Sequence, residues 1–431
     1  MMKQKNVWAA IALMMAAMAM GCGKSEEETP QPVIDPVEET NPTEKTEATD
    51  DLALTRAERQ MVAGSNDFAF NLLRQIRKSK GDKSIVVSPL SIVYALGMVN
   101  NGATGDTRQQ ICEALGFGLP SLSAPEASDS INAFCRKMLT LAPMRDPKTK
   151  VMIANTIYVN KDYTLKPVFV QKAHDYYDAE PETRDFADGK TMDVINRWAS
   201  DHTEKMIEKV LDESTFDPAA VSYLLNAVYF KGTWTYKFDK AETSNEPFEG
   251  ISGTVPMMHQ QFRCRYAEGD EYQAVQLLYG NGAYTMTILL PREGKTLSHL
   301  LTALTGDSWQ KTYFHFTLVD LKLPRFETNT NLGLADVMSG LGMPDAFIPA
   351  KAQFPDFCNV PTYIGMMMQT ARIRLDEEGT EAAAVTTIGV TDSAVIDEPA
   401  PISFHAVRPF LYVISEQSTG AIFFIGQYAG K

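Results

Sequence analysis

Basic charge, cysteine and histidine are all scarce in this chain. Its 40 Lys and Arg are outnumbered by 54 acids, for a net charge of −14 over 431 residues, with only five Cys and six His. No Lys/Arg-rich patch interrupts the acidic balance, which excludes nucleic acid as a partner. GxSxG, HExxH and GxxxxGK[ST] are all missing, so the hydrolase, metalloprotease and phosphate-loop chemistries built on those spacings have no foothold. GATGDT at 102–107 reads instead as a helix cap. His174 and His202 fall on helical stretches with no second ligand three or four residues away, and read as surface residues. Cys112, Cys135, Cys264 and Cys358 stand 23, 129 and 94 residues apart. That matches neither a CxxC metal pair nor a dense disulfide framework, and they read as buried or half-buried thiols. No enzyme activity, metal or cofactor is expected, and no internal repeat is visible.

What is present is an ordinary globular composition, 44% hydrophobic and 22% charged, in a chain long enough to bury a sizeable core. At the start, Lys3 and Lys5 precede an apolar run from Val7 to Met20 and then Cys22. That is the pattern of a secretion signal over 1–21, too short to be a spanning helix. Ala19-Met20-Gly21-Cys22 resembles a bacterial lipoprotein cleavage box, which would make Cys22 the lipidated first residue. An ordinary signal peptide cut nearby is the alternative. Residues 22–51 are rich in acids, Pro and Thr, and read as a disordered acidic tether. KSEEE behind the cysteine resembles the acidic signals of surface-exposed lipoproteins, so an exported lipoprotein of the outer membrane, at the cell surface, is expected.

From 52 to 431 no linker separates domains. Helical patterns run over Leu52–Lys80, over 91–117 with a break at Asn100-Asn101-Gly102, and over Val168–Tyr177, Thr191–Ile207, Leu297–Leu304 and Leu332–Leu341. Strands are expected at Ser84–Val87, Val151–Val159 and Val221–Phe230, the last the most apolar and central. A meander from Phe248 turns at Gly280-Asn281-Gly282, and two apolar strands close the chain around Ser418-Thr419-Gly420. Helices dominate the first half and strands the second, so the fold class is α+β.

The most informative stretch is LDEEGTEAAAVTTIGVTDSAVIDEPAPISFHAVRP, from Leu375 to Pro409. Read as a strand from Thr380, its alternate positions Thr380, Ala382, Ala384, Thr386, Ile388 and Val390 are small or apolar and none is charged. Asp392–Pro401 nevertheless reads as an exposed loop. A solvent-facing segment with the alternation of a buried strand suits one that lies outside the fold in one state and pairs within a sheet in another.

Glu377 to Ala384, EEGTEAAA, resembles the loop hinge of inhibitory serpins. Other segments are similar to that family in the same order: SPLSIVYALGMVNNGATGDT, NAVYFKGTW, VPMMHQ, LKLPRFE, LGMPDAF, FHAVRPFLYVI and AIFFIGQY. The resemblance implies a serpin fold over 52–431, with a large central mixed β-sheet, further β-sheets, about nine helices and an exposed reactive loop over about 377–403. It implies a hinge at Glu377, Gly379, Thr380, Glu381, Ala382, Ala383 and Ala384. It also implies a cluster controlling sheet opening: Ser88, Ser91, Asn226, Trp234 and Gln369, the last where the family usually has His. Val407 stands where the signature usually has Asp or Asn. The implied function is suicide inhibition: a monomer whose loop is attacked by a serine or cysteine endopeptidase inserts as a strand while the acyl-enzyme is still intact. Counting along the loop from its two ends places the cut at Ser393 or near Glu398. A bond before Pro399 is a poor substrate, so the scissile region is taken as Ser393, Ala394, Val395 and Ile396, with Ser393-Ala394 first. The absence of Arg and Lys from Gly379 to His405 suits an elastase-like pocket or a broad cysteine protease. The alternative is a non-inhibitory serpin acting as a binding module, which a charged or bulky hinge would mark.

Overall fold

The computed structural model describes residues 51–118, 124–380 and 400–430. The chain divides into Met1–Lys45, which lies outside those residues, and a compact unit Thr46–Lys431. Within the described residues there are nine α-helices: α1 Arg56–Lys80, α2 Pro89–Asn100, α3 Gly105–Ala114, α4 Ala124–Leu141, α5 Pro167–Tyr177, α6 Thr191–His202, α7 Leu297–Ala303, α8 Gly306–Lys311 and α9 Ala335–Gly340. The strands are β1 Ile85–Val87, β2 Lys150–Asn160, β3 Glu182–Arg184, β4 Ser222–Thr233, β5 Ser244–Pro247, β6 Thr254–Glu268, β7 Tyr272–Tyr279, β8 Tyr284–Pro291, β9 His315–Pro324, β10 Phe326–Gly333, β11 Met366–Asp376, β12 Gly379–Thr380, β13 Ile402–His405, β14 Phe410–Glu416 and β15 Ile422–Tyr428.

These strands form two sheets. One runs β10-β11-β12-β4-β2-β3 and is mixed, because β11 pairs parallel with β4 and β2 parallel with β3 while the other pairs are antiparallel. The other has nine strands in the order β1-β15-β14-β8-β7-β6-β9-β13, with β5 on β6. As its apolar run predicts, β4 is buried over nine consecutive residues and lies inside the six-stranded sheet. α2, apolar almost all round, is wholly buried beneath that sheet; Ser88 caps it and Pro89 opens it. All four described cysteines are free, Cys112 half-buried and the rest buried, and burial pushes the Cys112 thiol up to about 11.

Several boundaries differ from the sequence expectation, each for a local reason. α1 starts at Arg56 because Thr55 and Glu58 form a capping box ahead of it. α6 stops at His202 rather than Ile207, since Glu204 and Lys205 take φ of 48° and 65°, which no helix accepts. The helix expected from Leu332 begins at Ala335, because Leu332 and Gly333 finish β10, paired with Gln369 and Met368. The amphipathic α4 has no counterpart in the expected elements.

Candidate functional site

β4 and β11 run side by side through the six-stranded sheet and carry two polar clusters. The first lies at mid-strand, where Gln369 pairs with Asn226 and Asn226 with Asn155 of β2. Gln369 accepts from the Ser88 N–H at 3.0 Å through Oε1; its Nε2 donates to the Ser88 carbonyl at 3.0 Å and to Asn226 Oδ1 at 2.6 Å. Asn226 Nδ2 donates to Asn155 Oδ1 at 2.6 Å, to the Ser91 carbonyl at 3.3 Å and to the Ser91 hydroxyl. All five residues are buried. Buried amides need such partners, because each one left unpaired bears the full desolvation penalty. Ser88, Ser91, Asn226 and Gln369 therefore come together, with Gln369 supplying both donor and acceptor where the family usually has an imidazole.

Trp234 does not join them. It sits just past the end of β4 beside the second cluster, because eight residues along a strand separate it from Asn226 by about 26 Å. There β11 ends, the chain turns back through Glu377 and Glu378, and β12 wedges between its neighbours. Thr380 faces Leu375 of β11 on one side and Gly232 of β4 on the other; Gly379 faces Asp376 and Thr233. The hinge residues Glu377, Gly379 and Thr380, expected as part of an exposed loop, are buried. They are held in the sheet because their backbone groups find partners there: Trp234 N–H donates to the Glu378 carbonyl at 2.9 Å and Phe238 N–H to the Glu377 carbonyl at 3.1 Å. Gly379 is required, since its φ of +144° is closed to side chains and a Cβ would collide with the Gly232 carbonyl.

Side chains secure the turn. Trp234 stacks on Tyr279 with ring centroids 4.4 Å apart and donates its indole N–H to the Asp376 carbonyl at 3.0 Å. The Tyr279 hydroxyl lies 2.7 Å from Thr380 Oγ1, and burial raises its pKa so that it stays protonated. Glu377, 1% exposed, takes a hydrogen bond from Thr243 at 2.6 Å and an ion pair from Arg325. Burial pushes its carboxyl up, but Arg325 and Thr243 outweigh that and hold it below the usual carboxylate range. Glu378 is held low by Lys237 at 2.7 Å and Lys240 at 2.9 Å.

Glu381, Ala382, Ala383, Ala384, Ser393, Ala394, Val395, Ile396 and Cys22 lie outside the described residues. The sequence singled out neither Asn155, Tyr279, Arg325, Thr243, Lys237 nor Lys240. Of these only Asn155, an amide inside the apolar run VMIANTIYV, carried a signal: an interior amide needs a partner.

Comparison with known proteins agrees with this architecture. A family model described as "Serpin (serine protease inhibitor)" matches residues 63–430. Antithrombin-III of Mus musculus is 30% identical over 385 residues, covering 86% of this chain and 81% of its own. Among solved structures, the native state of Tengpin, a thermophilic serpin, superposes with a TM-score of 0.78 at 28% identity, over 89% of this chain and 96% of that one. Human thyroxine-binding globulin also gives a TM-score of 0.78, over 86% and 98% of the two chains, at 24% identity.

Proposed function

The chain belongs to the serpin family, and from that premise we propose that it is a suicide inhibitor that traps an endopeptidase by strand insertion. The carrying observation is Thr380: uncharged, fully buried and paired on both sides inside the six-stranded sheet. It is the first inward position of the stretch that continues with Ala382, Ala384, Thr386, Ile388 and Val390. A protease that cuts beyond these residues frees them to continue the strand that Gly379 and Thr380 begin. The acyl bond between the protease nucleophile and the new carboxyl end then travels with the strand, and deacylation loses the race. The driving force is a fold held short of its lowest state until the chain is cut.

Cleavage falls within Ser393–Ile396, at Ser393-Ala394 first. An elastase-like serine endopeptidase, or a cysteine endopeptidase of broad specificity, matches those small and β-branched residues. The protein is a monomer, exported and lipidated at Cys22, with residues 22–51 as tether and 52–431 as inhibitor, at the outer membrane and facing outward. The binding-module alternative finds no support in the hinge, which carries no charged or bulky residue at its inward positions.

The test is to mix the protein with elastases, look for an SDS-resistant complex, and weigh the released carboxy-terminal peptide. A complex with a cut inside Ser393–Ile396 is the expected result; quantitative cleavage without complex would overturn inhibition. Lipidation is checked by labelled palmitate, which Cys22→Ala must no longer incorporate.

A further inference from the structure

β2 is paired along only part of one side. β4 accompanies it from Lys150 to Val159, but on the opposite side β3 reaches only Tyr158, Val159 and Asn160. The segment leading into β3 already meets β2 at Thr156, whose hydroxyl donates to the Glu180 carbonyl at 3.1 Å, but no described strand lies beside Lys150–Ile153, so the outward amides and carbonyls of that stretch are a template for another extended chain. Two cavities of about 240 and 120 Å³ sit in line beside this edge and share Ile153 and Asp178 in their walls. Together they make a trough that runs from α4 to α6, where Trp198 and His202 form the far wall with ring centroids 5.2 Å apart.

The trough is chemically polarised. Asp178 and Glu180 line it, are exposed, and pair with no cation among the described residues, whereas neighbouring Glu182 is engaged by Arg184 at 2.5 Å. Asn155 also lines it, is 4% exposed, and keeps a buried side-chain N–H of Nδ2 with no acceptor. Arg136 stands at the opposite end. Such a site offers strand pairing, an orphan donor and two unpaired carboxylates.

We propose that this edge binds an extended basic peptide segment of another protein, which adds as a strand along Lys150–Ile153 and sets lysine or arginine side chains on Asp178 and Glu180. A second copy of this chain is a poor occupant: its net charge is −14, and its amino-terminal sequence SEEETP is acidic.

The experiment uses the intact, uncut protein and a fluorescent octapeptide of alternating lysine and valine, read by anisotropy. The peptide is expected to saturate a single site. Its glutamate–valine counterpart should not bind, and neither should a lysine–valine peptide N-methylated at alternate amides, which keeps the charge but cannot pair as a strand. Asp178→Asn, which suits the left-handed backbone at that α5 cap, with Glu180→Gln should weaken the lysine peptide about tenfold while leaving thermal unfolding and protease trapping unchanged. Equal binding of the N-methylated or glutamate peptide, or unchanged affinity in the double variant, would overturn the proposal. So would a concentration-dependent dimer in sedimentation that the peptide dissolves.

Discussion

The two polar clusters on β4 and β11 hold the same pair of strands by different physics. At mid-strand every group is neutral and buried: Ser88, Ser91, Asn155, Asn226 and Gln369 exchange hydrogen bonds in a low dielectric, where salt does not reach. At the hinge the ties are ionic and their outer partners are wet, Lys240 65% and Arg325 44% exposed. The sheet is thus stitched geometrically at its centre and electrostatically at its opening. The centre must be unmade as a unit, whereas the opening can loosen one charge at a time.

The largest expected effect strikes where the opening meets the buried sheet. Thr380→Arg puts a charge at a position with no exposed surface, beside the Tyr279 hydroxyl, at a cost of several kcal/mol, on the order of 3. The SDS-resistant complex should vanish and the loop should be cut as a plain substrate. Trapping at full stoichiometry by this variant would show that insertion is not how the molecule works.

At the centre, Asn226→Leu leaves the Asn155 side chain without its partner, takes the donor from the Ser91 hydroxyl and reduces Gln369 to its two Ser88 hydrogen bonds, and should cost about 2–4 kcal/mol. Its denaturation midpoint should fall equally in low and high salt, which distinguishes it from any change at the rim. Arg325→Ala leaves a buried Glu377 carboxylate short of its cation, worth about 1–2 kcal/mol once the exposure of Arg325 is allowed for. Because the Glu377 pKa is lowered in the fold, its stabilisation is complete above the ordinary carboxylate range and is lost as pH falls through the lowered value. Glu377→Gln should therefore flatten the acid limb of the stability profile, and Asn226→Leu should leave its shape alone. The smallest effect is Lys240→Ala, a marginal fall in the denaturation midpoint that disappears in high salt; a salt-independent loss there would erase the contrast between the two clusters.

How far the sequence revealed this arrangement depended on the distance a signal had to cover. Ser88, Ser91, Asn226 and Gln369 were grouped through the resemblance of their segments to the serpin family, whereas Asn155, a polar residue set among apolar ones, went unnoticed. Lys237, Lys240 and Arg325 are single charges on rim segments, and the acids they meet lie 141, 138 and 52 positions away; nothing local names such a partner. Trp234 was grouped with Asn226 because they share a motif, but a strand carries neighbours in sequence far apart in space. The alternation from Thr380 was legible because strand geometry has a period of two, whereas the turn at Glu377-Glu378 that brings Thr380 back between β11 and β4 follows from pairing alone.

Gly379 also fixes a count. With no room for a side chain there and Thr380 committed inward, the parity of every later position in an inserted strand is already decided. In the proposed inserted strand, two residues added after Thr380 would leave the Glu381 position facing out and only lengthen the loop, whereas a single added residue would turn that carboxylate into the sheet. Loop variants of this protein should therefore sort by odd and even length before they sort by composition.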